Sequence, residues 1–213
     1  MSTIKATLLD AMGDDLSVVN AARVSFGKRS NWEYEEFGEG LQAKDAKLIR
    51  YLAKHNHISP FGHAFASFHV KAPIFVARQL VKHSYLRWNE ISRRYVDDEP
   101  EFYVPKVWRG RSADKKQGSE GTVELSHASV GRAAWAAKEA YTQLLAEGVA
   151  PEQARMILPQ STMTEWHWSG SLDAFARMCK LRCAHDTQYE SRIVADQISV
   201  KMAKICPVSW EAL

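Results

Sequence analysis

The amino-acid sequence predicts an α+β fold: a single domain over residues 1–213, with a mixed or antiparallel sheet flanked by helices and long helices toward the C-terminus. Three observations predict it. Residues 3–9, TIKATLL, alternate Ile4, Ala6 and Leu8 with polar neighbours, the period of a strand buried on one face. Apolar residues at helical spacing recur along the chain and close in the four-four-three stripe Val194, Ile198, Met202 and Ile205, a buried helix face. With 213 residues there is material for one substantial core, whereas two compact domains would be unusually small.

After the opening strand, residues 16–26 (LSVVNAARVSF) read as a short helix and the polar, Gly-punctuated residues 27–40 as a surface loop. Leu41, Leu48, Ile49 and Leu52 mark a helix ending near His55. His55, His57, His63 and His69 follow closely and invite a metal reading, but their spacing argues against it. His57 and His63 flank a Ser-Pro turn, and His63 and His69 fall on an expected strand with no acidic partner nearby. Both of the latter read as satisfied core or interface histidines. Pro73 opens the next helix, where its missing N–H costs nothing, and Phe75, Val76, Leu80 and Val81 continue it, leaving His83 near its C-terminal end. Residues 106–121 are a basic, Gly-rich connector with no assigned site. Val130, Ala134, Ala137, Tyr141 and Leu144 form one face of an Ala-rich helix, either core or subunit interface. Pro151 suits a helix start and Pro159 a close, and Arg155 between them needs a partner or an exit to water. Residues 171–205 supply the last two helices.

Composition excludes several classes. A net charge of +3, with Lys and Arg interleaved with Asp and Glu, gives no polyanion-binding surface, so no nucleic-acid partner is expected. No run approaches the roughly 20 apolar residues of a membrane helix, and the N-terminus lacks a secretory pattern. A cytoplasmic protein with no membrane partner is expected. Cys179, Cys183 and Cys206 suit a reducing compartment; two thiols four apart do not make a zinc site, and buried free thiols are the expectation.

Chemistry concentrates in residues 73–105. Arg87, Asn89, Glu90, Ser92, Arg93, Arg94 and Tyr95 crowd nine positions with donors around one carboxylate. Such a set can hold an anionic, hydrogen-bonding ligand, since the guanidinium fork matches phosphate oxygens, and it can equally be a loop of paired surface charges. No G-x-S-x-G elbow surrounds Ser92 and no His-carboxylate relay adjoins it, which argues against a serine hydrolase and for a binding role. None of the three cysteines lies near this stretch as a nucleophile would.

The string RQLVKHSYLRWNEISRRY resembles the signature of the flavin-dependent thymidylate synthases, RHRxxSxNExSxRY preceded by an Arg-Gln pair. His83, Asn89, Glu90, Ser92, Arg94, Tyr95 and the pair Arg78–Gln79 match in register; Lys82, Ser84 and Arg87 depart from it. The segments AARVSF, HISPFGH, ARMILPQSTMTEWHW and the spacing of Leu181, Arg182, Gln188 and Glu190 are similar to further runs of the same family. The resemblance implies reductive methylation of dUMP to dTMP, with methylenetetrahydrofolate as carbon donor, NADPH as reductant and FAD as hydride carrier, in a homotetramer with shared active sites. It implies substrate contacts by Gln79, Glu90, Ser92, Arg93, Arg94, Arg155 and Arg182, with Arg182 also catalytic. Flavin contacts are implied for His57, Ser59, Lys82, His83, Ser84 and Glu90, with His185 or Asp186 where the family has a flavin-contacting His. No metal is implied. The alternative is a nucleotide-binding homologue without productive flavin binding, because Lys82, Ser84 and Asp186 all fall on the flavin side.

Overall fold

Alternating burial decides where the sheet sits. In FASFHVKAP, Ala66, Phe68, Val70 and Ala72 are buried while Ser67, His69 and Lys71 are half-exposed, as in a strand with one face on the core. The computed structural model describes residues 2–35, 38–113, 118–125 and 127–213. Its main sheet orders β1 (Lys5–Met12), β4 (Phe65–Pro73), β8 (Met163–Ser171) and β5 (Arg87–Glu90), each pair antiparallel. The α+β expectation therefore holds in its antiparallel form. β2 (Glu33–Glu35) pairs with β3 (Gly38–Gly40) inside the stretch expected to be loop, and β6 (Trp108–Arg111) pairs with β7 (Ser119–Val123).

The buried face carries large aromatics. Trp166 and Trp168 alternate with Glu165 and His167 along β8; Trp168 and Phe68 both meet Phe175 edge-on, at ring distances of 5.7 and 5.2 Å. Trp88 of the edge strand stacks on Trp166 at 4.3 Å, which fastens β5 to the sheet. The opposite face is a polar ladder in which Thr7, His69, His167 and Asn89 lie in register and the Ser67 and Ser169 hydroxyls are 2.7 Å apart.

This face corrects the histidine expectations. His69 has an acidic partner, Glu165, 2.8 Å away on the neighbouring strand and invisible in local sequence. His63 is not on a strand: it ends the 3-10 turn Ser59–His63 that Pro60 opens, and it is exposed, while His69 is half-exposed, so neither belongs to the chain's core.

The helices are α1 (Asp15–Arg23), α2 (Ala43–Lys54), α3 (Ile74–Leu80), α4 (His127–Ala146), α5 (Pro151–Ala154), α6 (Leu172–Arg182), α7 (Tyr189–Ile205) and α8 (Pro207–Ala212). Val194, Ile198 and Met202 of the four-four-three stripe are fully buried, and α8 adds one short helix beyond the expected pair. Val81 is exposed, because α3 ends at Leu80 and the chain turns away before His83. On α4, Ala134 and Tyr141 are buried while Trp135 on the other side is 64% exposed. Cys179, Cys183 and Cys206 are free thiols, the first and last buried. No helix among the described residues is long and apolar enough to cross a membrane.

The N-terminus of α8 is held from a distant part of the chain. Asp15, 2% exposed, accepts the Val208 and Ser209 N–H groups with its two carboxylate oxygens at 2.9 and 2.8 Å, while Asp14 caps α1 itself. Asp15→Ala should cost about 2 kcal/mol in urea unfolding, because it removes two charge-assisted bonds and leaves their donors buried.

Candidate active site

A cavity of about 1030 Å³ lies where α3, the end of α6, the loop before α7 and the β6–β7 hairpin converge, and Gln79, Lys82, Tyr103, Arg109, Arg182 and Gln188 are in its wall. Gln79 projects from the last turn of α3. Its amide nitrogen donates to Gln188 Oε1 at 3.2 Å, while its own Oε1 is buried with no partner among the described residues. An acceptor left so in a cavity wall has an unmet demand for an N–H or O–H donor. Tyr103 also lines the cavity, with its single O–H turned to Glu190. Burial, the charge of Glu190 and the hydrogen bond to it push the phenol up to about 12, so it stays protonated.

Arg182 ends α6 and is half-buried. Its Nε donates to His83 Nε2 at 2.9 Å, the one hydrogen bond its guanidinium makes among the described residues. Burial, and then the charge of Arg182, hold His83 below its ordinary value of 6.5. Burial lowers Arg182 as well, though a guanidinium stays charged.

A cleft of about 390 Å³ adjoins the cavity and shares Lys82 and Arg182 with it; His83, Ser84, Tyr85 and Arg177 complete its polar lining, which contains no carboxylate. Arg177 pairs with Asp173 at 2.7 Å and stands over the Tyr85 ring at 5.0 Å. Tyr85 holds a left-handed φ of 67°, a strained conformation for a side chain of this size.

The remaining expected substrate residues form a second group away from this cavity's lining. Glu90, on the edge strand, accepts from Thr164 Oγ1 at 2.6 Å and from Trp88 Nε1 at 3.1 Å, which orients its carboxylate and leaves lone pairs open. The Arg94 N–H donates to Ser92 Oγ at 3.2 Å, and Arg93 is tied to the Asp98 carbonyl. Arg94 lies 3.8 Å from the Glu152 carboxylate and Arg155 Nε donates to the Glu152 carbonyl at 3.2 Å, so the two arginines gather around one residue. Both are exposed, which gives Arg155 its exit to water. His57 and Ser59 lie elsewhere again, exposed beyond the end of α2, with the His57 ring 6.2 Å from Tyr51. His185 is exposed and its carbonyl accepts from Arg192, whereas Asp186 reaches the cavity.

Sequence reasoning missed the connector at 106–121. There the β6–β7 hairpin puts Trp108, Arg109 and Ser119 in the cavity wall, and Arg109 braces the hairpin by donating to Ser119 Oγ at 2.6 Å and to its carbonyl at 2.9 Å. Gly118 has φ +95°, and a Cβ on it would stand 2.6 Å from the Asp186 carbonyl oxygen, so only glycine lets the hairpin dock on the loop before α7. The available signal was the pairing of Trp108 and Arg109 with a glycine in an otherwise polar run. Among the described residues no group of three or more His, Cys, Asp or Glu side chains converges as metal ligands would.

The family profile described as thymidylate synthase complementing protein matches residues 7–208. A flavin-dependent thymidylate synthase of Thermus thermophilus is 42% identical over 207 residues, covering 96% of this chain and 73% of the relative. One from Kosmotoga olearia is 39% identical, covering 96% and 87%. Among solved structures, a UMP/dUMP methylase, PolB, from Streptomyces cacaoi bound with 5-Br dUMP superposes with a TM-score of 0.83 at 35% identity, covering 100% of this chain and 95% of that one.

Two outcomes are expected. Gly118→Ala should lose roughly 1–2 kcal/mol and raise amide exchange in residues 183–188, because the added methyl pushes the hairpin off that loop. An alkaline NMR titration should find Tyr103 ionising near pH 12, above an ordinary phenol at 10; in Glu190→Gln, without the carboxylate charge, the value should fall back toward 10.

Proposed function

This chain belongs to the thymidylate synthase complementing protein family, the flavin-dependent thymidylate synthases, and on that premise we propose that it methylates dUMP to dTMP at the cavity walled by Gln79 and Arg182. The carbon comes from methylenetetrahydrofolate and the reducing equivalents from NADPH by way of FAD. The observation that carries the placement is the convergence, in one cavity, of an unpartnered buried acceptor and a half-buried guanidinium. Gln79 Oε1 accepts from the uracil N3–H. The terminal nitrogens of Arg182 face negative charge that develops on the ring as C5 becomes nucleophilic, and a fixed cation in a water-poor site contributes several kcal/mol to such a step.

Arg94 and Arg155 hold the phosphate, assisted by Ser92 and the backbone of Arg93, while Glu90 accepts from a ribose hydroxyl. These residues are absent from the lining of their own chain's cavity, and a second copy that brings its Arg94 group to the first copy's cavity would let one dUMP reach both groups. That division supports a homotetramer with shared active sites.

The residues present fit a flavin. The cleft beside the cavity offers Lys82, Ser84 and Arg177 with no lining carboxylate, a donor set suited to a pyrophosphate. Ser84 lacks the cation of the family signature, and Arg177 restores one to the same cleft. His57, Ser59, Glu90 and His185 supply further contacts from the other surfaces, and Asp186 from the cavity. FAD, when bound, supplies hydride transfer; the protein binds, orients and polarises.

Arg182→Ala and Arg94→Ala should each lower kcat by at least about 10²-fold without unfolding the protein. Mixed after dissociation and reassembled, the two inactive variants should regain activity, since some sites then draw an intact half from each. Near-normal turnover in Arg182→Ala would remove its catalytic role, and an inactive mixture would place both groups in one chain's site.

A further inference from the structure

We infer that His83 is a positioning residue for Arg182, its neutral imidazole fixing Nε from the cleft side so that the two terminal nitrogens are left to the cavity. The inference rests on the function proposed above for what Arg182 does and adds the means by which it is held.

Three observations carry it. The bond itself is short and directional, Nε to Nε2 at 2.9 Å, and an arginine can only donate, so Nε2 must present a lone pair and the ring proton must sit on Nδ1. His83 is in the wall of the cleft and not of the cavity, whereas Arg182 is in both, which puts the imidazole behind the guanidinium as seen from the cavity. The two residues come from separate segments, the turn after α3 and the last residue of α6, so the bond sets the mutual placement of Gln79 and Arg182.

The surroundings keep the ring neutral. The charged side chains that share its cleft are Lys82 beside it in the chain, and Arg177 and Arg182 from α6, all cations, of which Arg182 acts on it directly. The nearest carboxylate on that helix, Asp173, is committed to Arg177 and to the Ser171 hydroxyl. Protonation of His83 would abolish the acceptor and set a second cation against Arg182. Its folded-state value is depressed, so the neutral, bond-making form persists below the ordinary pH 6.5 and is lost only on further acidification.

The test compares wild type with His83→Gln, whose amide oxygen can accept at every pH, and His83→Leu, which never can. Thermal unfolding checks that each variant folds. Nitrogen-15 NMR of the protein without nucleotide should show His83 as the Nδ1–H tautomer at pH 7 and a protected Arg182 Nε–H signal, identified by its absence in Arg182→Lys. That signal should survive in His83→Gln and vanish in His83→Leu. Calorimetry with dUMP should find His83→Leu roughly tenfold weaker at pH 7.5 and His83→Gln within about twofold of wild type. The ratio of wild type to His83→Gln cancels the titration of the nucleotide phosphate, and it should fall only at acid pH. A charged or Nε2–H ring at pH 7, an Arg182 signal unchanged in His83→Leu, or a His83→Gln as weak as His83→Leu would each overturn the inference. A wild type that binds no dUMP would instead overturn the proposed function, and the resonances would still decide the positioning.

Discussion

The antiparallel pairing of β4 with β8, residue for residue from Phe65 opposite Ser171 to Pro73 opposite Met163, determines which other elements can meet. One end of that ladder runs straight into α3 after Pro73, and the other into α6 after Ser171. The inward side chains, Phe68, Val70, Trp166 and Trp168, bury both helices' inner faces against the sheet, and a shift of one residue would turn all of them outward. The register thus fixes where the two helices end, and their ends carry His83 and Arg182 to within a hydrogen bond. β8 also pairs with β5 on its other edge, and the Thr164 hydroxyl there orients Glu90. A single ladder therefore positions His83 and Arg182 on one side and Glu90 on the other.

Electrostatics separates the two groups further. At the cavity and cleft, Lys82, Arg177, Lys180 and Arg182 gather with few acidic neighbours, and the neutral His83 is what satisfies Arg182. In the scaffold the opposite rule holds: the fully buried Asp45 is matched by Arg23, and the buried Asp15 by two backbone N–H groups. Within the cleft Arg177 is matched by Asp173, whereas Arg182 has only the neutral His83 among the described residues. At the surface Arg94 and Arg155 share Glu152, the first through its carboxylate and the second through its carbonyl.

Much of this was legible in the chain because the relevant signals are local. The alternation of Ile4, Ala6 and Leu8, the stripe on α7 and the stop at Pro159 each depend on neighbours within a few residues. The dense run from Arg87 to Tyr95 stood out by composition, which left it open between a ligand-binding set and a loop of paired surface charges. What stayed hidden depends on distant partners. His69 read as a core or interface histidine without an acidic partner, because Glu165 reaches it only across the sheet. The β6–β7 hairpin read as a connector because its strands carry no apolar alternation, and it is held by Arg109 on Ser119 and by Gly118 against Asp186. The split of the site residues between cavity and surface is likewise a property of packing, which no motif spacing encodes.

Lys82 and Ser84, which depart from the family signature, put the making of dTMP from dUMP with a flavin most directly to the test. The most direct measurement is dTMP formation by the purified protein with dUMP, FAD, NADPH and methylenetetrahydrofolate, each omitted in turn. Product that requires every component, or every component but FAD when a yellow flavin co-purifies, is the result this account predicts. A colourless protein that binds dUMP but forms no dTMP with all four present would contradict it, and would leave a nucleotide-binding chain whose cleft no longer serves a flavin.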